Sequence, residues 1–367
     1  MKTIAIPSQS VVIAIGGKRA PFAEVLDLVP APARPWNVDR PDESGGALQC
    51  ALDESGRARV AMPRAHAKAV KDAARIARRN GAVSVLLRLP GAPDVADATE
   101  WVDQRHDVAG PEDLAFEIVP MACDMTHIGS PLDFVGDIHG CHEEATELLR
   151  SLGHIGADGR PAPHAQGRTA VLLGDYTDRG PFNKLALELA RDVTRAGGLA
   201  ILGNHDAKLL RWLQGKDVRV ASGLEATIAE LSLETPEWRA EMAAWLATLQ
   251  PHLVLDGGRI VAAHAGISQR LQGKLTPEAR DFALYGDVVP GQSHEERHPE
   301  REDWARRYSG RATVVHGHIA YREPRVLNDV VAIDTGCVFG GKLTAFRWPE
   351  RTFESVPAKR TYCERAD

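Results

Sequence analysis

The sequence predicts an α/β fold, on three observations. Six short apolar runs in the later two thirds of the chain each end in glycine together with Asp, Asn or His. In the earlier third a helical pattern is followed directly by a strand pattern, the grammar of a βαβ unit. The third is composition: 367 residues, 44% hydrophobic and 26% charged, suit a soluble globular chain of two domains, each able to bury a core.

The first domain is expected over residues 1–125. Val11–Ile15 is a short apolar run closed by Gly16-Gly17, which suits a buried strand ending in a turn. Residues 30–60 carry Pro30, Pro32, Pro35, Pro41, Gly45 and Gly46 and read as irregular. Ala67, Val70, Ala73, Ala74 and Ala77 then recur at helical spacing, Asn80-Gly81 stops the helix, and Val83–Leu87 is a strand. The acidic, Pro- and Gly-marked stretch 91–113 closes this unit.

The second domain is expected over residues 126–367. Leu132–Val135 leads into Gly136-Asp137-Ile138-His139-Gly140, Ala170–Leu173 into Gly174-Asp175 and on to Asp178-Arg179-Gly180, and Leu199–Leu202 into Gly203-Asn204-His205-Asp206. Ile260–Ala263 leads into His264-Ala265-Gly266, Ala312–Val315 into His316-Gly317-His318, and Val330–Ile333 into Asp334-Thr335-Gly336. Ligands of open α/β sheets sit beyond the C-terminal ends of the strands, so these side chains are expected to converge there. Residues 205–214 and 223–250 read as helices, with Leu224, Ile228, Leu231 and Trp238 among their apolar positions.

Asp, His and Asn donors without cysteine describe a site for hard or borderline divalent ions. Asp137 and His139 are two apart, so on an extended strand end both point the same way and can clamp one ion. The remaining donors suffice for a second. Two metals about 3.5–4 Å apart are a common solution to phosphoester hydrolysis.

The strings GDIHG, GDYTDRG, GNHD, HAG and GHI, in that order, resemble the phosphoprotein-phosphatase superfamily of binuclear metallophosphoesterases over roughly residues 131–350. The resemblance implies a two-sheet α/β sandwich with its site on the loops at one sheet edge. It implies further that Asp137 and His139 hold a first metal, Asp175 bridges, and Asn204, His264 and His318 hold a second. His205 is then the acid that protonates the leaving oxygen, Asp178 orients it, and Arg179 grips the phosphate. Asp206 stands where most members have Glu, and Ile319 where Thr is common. The stretches DFALYGD, VHGHIAYREPRVLND and IDTGCVFGGKLTAFRWPER look closer still to the phosphatase module of bacterial polynucleotide kinase-phosphatases of RNA repair, in which the position of Asp334 is also functional. Symmetrical diadenosine-tetraphosphate hydrolases are similar too.

What this implies is hydrolysis of phosphomonoesters or phosphodiesters by hydroxide held between two metals, Mn²⁺ first, with Ni²⁺, Fe²⁺ and Zn²⁺ also fitting the donors. An RNA 3′-phosphate or 2′,3′-cyclic phosphate end is the expected substrate. A bis(5′-nucleosyl) tetraphosphate, or a phosphoserine or phosphothreonine protein, is the alternative. A scaffold or nucleotide-sensing role is the competing non-enzymatic class. The resemblance leaves room for a repair-partner protein and for a homo-oligomer.

By the same resemblance residues 1–125 are a polynucleotide-kinase-like P-loop domain, and here the sequence departs from the pattern. A working loop reads G-x-x-x-x-G-K-[ST], whose amides, Lys and hydroxyl hold phosphate and Mg²⁺. Gly16, Gly17 and Lys18 remain, but the loop is short, Arg19 replaces the hydroxyl, and the acidic strand position is missing from ARVAMPRAHAKAV. A degenerate, inactive kinase-like domain is expected. A net charge of −6 excludes a global basic field, and 5% aromatics argue against a stacking platform for long single strands. Five dispersed cysteines without a C-x-x-C pair argue against a disulfide framework or a cysteine-based zinc site. No run spans a membrane and no secretory signal is evident, so a cytoplasmic location is expected. Arg301, Arg306, Arg307 and Arg311 read as a solvated helix face, and His316 as a packing residue.

Overall fold

The computed structural model describes residues 2–17, 20–30, 34–37, 57–62, 67–112, 114–288 and 301–365. They group into two compact units, Met1–Ala122 with Lys274–Glu278, and Cys123–Gly273 with Ala279–Asp367.

In the first unit, strands β1 (Lys2–Pro7) and β7 (Leu114–Val119) form a parallel pair. A parallel sheet has the order β3-β4-β2-β5-β6, from β2 (Ser10–Ile15), β3 (Arg34–Asn37), β4 (Arg57–Met62), β5 (Val83–Arg88) and β6 (Gln104–Asp107). Strand β2 is buried along its whole length, because both faces are covered: Val11, Ile13 and Ile15 pack with Val70, Ala73, Ala74 and Ala77 of helix Ala67–Arg79, while Val12 and Ala14 pack with Val25 and Leu26. A parallel strand covered on both sides reads as a continuous apolar run, which is how it was recognisable.

Residues 34–37 and 57–60 lie in strands, where the proline and charge content predicts irregular chain. In β4 the arginines disguise the pattern: Arg59 is half-buried and donates through Nη1 to Leu26 O at 2.8 Å. Lys18, Arg19, Pro32, Pro41, Gly45 and Gly46 lie outside the described residues. Gly17 N–H donates to Pro90 O at 2.9 Å.

The second unit is a sandwich of two mixed sheets. One has the order β11-β10-β9-β17-β18: β9 (Leu132–Val135), β10 (Thr169–Leu172) and β11 (Leu199–Ala200) are parallel, and β17 (Lys342–Trp348) runs antiparallel to both β9 and β18 (Thr352–Pro357). The other has the order β15-β16-β14-β13-β12-β8, from β8 (Asp124–Met125), β12 (His252–Leu255), β13 (Ile260–Ala263), β14 (Thr313–His316), β15 (Arg325–Leu327) and β16 (Val330–Ala332). Here β13, β14 and β16 are mutually parallel.

Leu132, Phe134, Val171, Leu253, Leu255, Ile260, Ala262, Val315, Val331 and Phe346 fill the space between the sheets. The alternation along β9 then turns Val135 outward, into a second core under helices His142–Ser151 and Asn183–Arg195. The expected strands are present within a residue or two, and each delivers its glycine-bounded polar cluster at its C-terminal end. The stretch expected as one helix over 223–250 is two, Leu224–Leu231 and Pro236–Thr248. The break has a local cause. Pro236 lacks an N–H and fits only a first turn, and the Thr235 side chain caps that turn by accepting from Trp238 N at 3.2 Å. Arg306 and Arg307 lie on a short 3₁₀ turn, Trp304–Arg307, and pair with Asp303 and Asp287, each at 2.9 Å.

Candidate metal centre and active site

Five side chains of the polar clusters stand on left-handed backbone: His139 (φ 44°), Asp175 (φ 49°), Asp178 (φ 75°), Arg179 (φ 70°) and His318 (φ 70°). Non-glycine residues avoid this region, and such strain persists where surrounding structure holds it, commonly at functional sites. The glycines between them allow close approach. A Cβ on Gly203 would meet the Asp175 carboxylate, and one on Gly317 would meet Asp137 Oδ1.

The structure brings all six expected metal ligands to one sheet edge, buried or nearly so. Asp175 is central. Its Oδ2 lies 3.5 Å from His139 Nε2 on one side and 3.3 Å from His264 Nε2 on the other. Asn204 Oδ1 is 2.9 Å from His264 Nε2 and 3.0 Å from His318 Nδ1, and those two imidazole nitrogens are 3.2 Å apart. His139 Nδ1 meets Thr177 O at 2.8 Å and His264 Nδ1 meets Leu173 O at 2.9 Å. Each carbonyl accepts a hydrogen bond from Nδ1–H, which leaves Nε2 as the ring nitrogen that faces the site. Asp137 Oδ2 accepts His318 N–H at 3.0 Å, while its Oδ1 is buried with no hydrogen-bond partner among the described residues.

Charge is distributed unevenly over this set. Burial pushes the Asp137 carboxyl up, and Asp334 and Asp175 add to the shift. Burial also works against Asp175, but His264, His205 and His139 outweigh it and hold that carboxylate well below its ordinary range. Burial opposes a charged His264, yet neighbouring Asp175 prevails and its pKa rises to about 10. Burial lowers His139 and His318, helped by Arg179 and His264 respectively.

A divalent cation fits these residues. Two three-residue groups, His139–Asp175–His205 and Asp175–His264–His318, have donor atoms within 4.8 Å of one another, and Asp175 belongs to both. His264 Nε2, His318 Nδ1, Asn204 Oδ1 and Asp175 Oδ2 converge as nitrogen and oxygen donors, and a divalent ion among them would take the place of the proton that Asp175 holds on His264. Asp137 Oδ1, without a hydrogen-bond partner among the described residues, is a further oxygen donor open to such an ion.

The expected catalytic residues join the same edge. His205 Nδ1 is 2.6 Å from Asp178 Oδ2, and Arg179 reaches His139 Nε2 at 2.5 Å through Nη1 and His205 Nε2 at 3.0 Å through Nη2. Asp334 is buried, its carboxyl raised by burial, and Oδ1 accepts Gly336 N–H at 2.9 Å. Asp206, on the helix Asn204–Leu213, is an anchor: its carboxylate accepts Asp175 N–H at 2.7 Å, Gly203 N–H at 2.9 Å and Tyr176 N–H at 3.0 Å. His316 packs against Trp304, ring centroids 5.6 Å apart.

Sequence reasoning missed three residues. Thr227 Oγ1 donates to Asp178 Oδ1 at 2.5 Å from a helix 49 positions away, a link that local spacing does not reveal. Asn183 Oδ1 accepts Asp178 N–H at 2.8 Å; its place three residues after the Asp178-Arg179-Gly180 turn was the available signal. Phe339 lies under Arg179, 5.5 Å from its Cζ. Arg301 is exposed, as expected, and donates through Nε to Tyr285 O at 2.9 Å, while its charge helps lower the pKa of His318.

A mixed two-sheet α/β sandwich carrying such a carboxylate–imidazole–amide cluster at one edge defines a metallophosphoesterase. Residues 130–346 match the model of the calcineurin-like phosphoesterases, and the chain belongs to that family. It is a phosphoric ester hydrolase of a divalent-metal-dependent kind. Three relatives are similar along most of their length, each named bis(5′-nucleosyl)-tetraphosphatase PrpE [asymmetrical]. That of Bacillus velezensis is 40% identical, covering 63% of this chain and 94% of its own. That of Bacillus subtilis is 41% identical, covering 63% and 96%. That of Geobacillus sp. is 39% identical, again covering 63% and 96%. No helix among the described residues is long and apolar enough to cross a membrane.

Proposed function

We propose that this enzyme hydrolyses the polyphosphate bridge of bis(5′-nucleosyl) tetraphosphates, cutting off centre to give a nucleoside triphosphate and a nucleoside monophosphate. The observation that carries this reading is about 40% identity to the PrpE tetraphosphatases over nearly their whole length. RNA ends, the substrate expected first from the sequence, have less support, since these relatives are named for dinucleotides and not for RNA repair.

Asp137, His139, Asp175, Asn204, His264 and His318 would hold two ions, Mn²⁺ by the hardness of the O/N donors. The ions, when bound, supply an activated water and neutralise charge on the phosphate. The chain's own groups do the rest. Arg179 offers a planar two-pronged donor to phosphoryl oxygens, and Phe339 beneath it limits its swing. His205 holds a proton for the leaving phosphate oxygen, with Asp178 keeping the ring oriented through Nδ1. Asp334 places a further carboxyl beside Asp137. Arg301 adds a second cation near His318, suited to the rest of a four-phosphate chain.

In the first unit the Gly17 amide is already spent on Pro90 O, which supports a degenerate phosphate loop and no kinase activity. The deciding experiment is product analysis with Mn²⁺ on diadenosine tetraphosphate, an RNA 2′,3′-cyclic phosphate, an RNA 3′-phosphate and a phosphothreonine peptide. ATP plus AMP as the preferred reaction is expected. Two ADP, or preference for an RNA end or the peptide, would replace the reading. Arg301→Ala should raise KM for the tetraphosphate more than for p-nitrophenyl phosphate.

A further inference from the structure

Beyond the O/N centre, the second unit contains a buried group of different donor chemistry. Cys141 precedes the helix His142–Ser151, Glu144 lies in its first turn, and Cys337 opens the 3₁₀ turn Cys337–Phe339. All three are essentially inaccessible to solvent, and the two sulfurs and a Glu144 oxygen lie within 4.8 Å of one another. The carboxylate is only half satisfied. Oε1 accepts the Tyr362 hydroxyl at 2.7 Å and Lys359 N–H at 2.9 Å, whereas Oε2 is buried with no hydrogen-bond partner among the described residues. The chain end closes over the group, Tyr362 N–H and Cys363 N–H both donating to Val338 O at 3.0 Å.

A bare carboxylate oxygen in the interior costs about 1–3 kcal/mol or more unless something there uses it. Two thiols beside it are small and apolar enough to be mere packing, but packing does not call for Glu at this place. Two sulfurs and one carboxylate oxygen are the donors of a soft or borderline ion, quite unlike the sulfur-free centre at the sheet edge.

We propose that Cys141, Cys337 and Glu144 form a second metal site, for a d¹⁰ divalent ion of the Zn²⁺ class. Binding exchanges the two thiol protons, released to solvent, for one divalent ion on two thiolates and the Glu144 oxygen. A filled site ties the turn that follows Asp137 and His139 to the turn that follows Asp334, across the back of the O/N centre.

The test uses the full-length enzyme preloaded with Mn²⁺ and titrated with Cd²⁺, following the ultraviolet thiolate-to-cadmium charge-transfer band. The O/N centre has no sulfur and cannot give the band, and loss of the band in the Cys141 and Cys337 variants separates this site from the other cysteines, whatever the substrate of the enzyme proves to be. A band saturating at a single equivalent in wild type and absent from Cys141→Ser and Cys337→Ser is expected. No band in wild type, or a band persisting in both variants, would overturn the proposal. Should the serine variants fail to fold, X-ray absorption at the cadmium edge of the wild type decides: two sulfur neighbours support the site, fewer than two refute it.

Discussion

Asp178 grips His205 Nδ1 with one carboxylate oxygen, at 2.6 Å, and takes the Thr227 hydroxyl with the other, at 2.5 Å. Both oxygens of a fully buried carboxylate are therefore committed, and the imidazole is held from behind by the helix Leu224–Leu231, whose Glu230 also accepts from Asn183 Nδ2 at 3.0 Å. Thr227→Val keeps the shape and removes the hydroxyl. Leaving Asp178 Oδ1 unsatisfied should cost about 1–2 kcal/mol, felt as roughly a tenfold lower kcat with KM little changed. The loss should shrink on p-nitrophenyl phosphate, whose leaving group needs no proton. An equal loss on an alkyl phosphate and on p-nitrophenyl phosphate would show that Thr227 does not act through the His205 proton.

His205→Ala and Asp175→Asn should separate proton delivery from metal retention. Asp175 faces both His139 and His264, so its loss should empty the centre and abolish turnover. His205→Ala should keep metal content near wild type while turnover falls by roughly 10²–10⁴, the range for a general acid. Metal analysis of the two purified variants checks this. Retained metal in Asp175→Asn would contradict its central place.

Gly317→Ala offers a subtler route to the same centre. The added Cβ would press on Asp137 Oδ1, the oxygen without a hydrogen-bond partner among the described residues. Mn²⁺ affinity should fall while the fold, read by circular dichroism and melting temperature, stays close to wild type. Unchanged affinity would mean that Asp137 can move aside without consequence.

Away from the site, Asp133 is a buried hub for Arg168 (2.7 Å), His154 (2.9 Å) and Arg347 (3.1 Å). Burial works against its charge, but His154, Arg168 and Arg347 overcome it and hold the carboxyl well below the usual range. A depressed carboxylate stabilises the fold fully above the unfolded pKa near 4 and loses that contribution as pH falls towards the folded value. Asp133→Asn should therefore cost about 3–5 kcal/mol near neutrality, since it strands buried cationic partners. The gap to wild type in urea unfolding should narrow below pH ~4. Equal stabilities at neutral pH would remove Asp133 from the framework.

The donors of the centre were legible because their constraints are local. A glycine-flanked Asp or His at the end of a short apolar run shows both the strand and the left-handed turn that follows. What stayed hidden depends on tertiary placement. Thr227 looks like any helical threonine, and Glu144 like a solvated residue of a first turn, until folding sets them against Asp178 and the Cys141–Cys337 pair. Strand β4 was obscured for a related reason: arginine stems can line a strand that periodicity reads as polar. Whether a Thr-Pro pair splits a long helical pattern is in principle readable, and the apolar periodicity running through 223–250 outweighed it.

His252 provides the last test, and it needs no substrate. The ring is fully buried in β12; Nε2 accepts Gly273 N–H at 3.1 Å, and Nδ1 has no partner among the described residues. No carboxylate among the described residues compensates a charge there, so burial drives the pKa down to about 4. The unfolded chain takes up a proton near pH 6.5 that the native chain refuses, so stability is complete above that value and falls as pH drops towards 4. Between pH 7.5 and pH 5 this one group should remove about 2 kcal/mol. In His252→Gln an amide oxygen can still accept from Gly273 and nothing titrates, so the variant's stability should fall correspondingly less over the same interval. Urea unfolding of both proteins at the two pH values gives the difference directly, and parallel losses would place the acid sensitivity of the fold elsewhere.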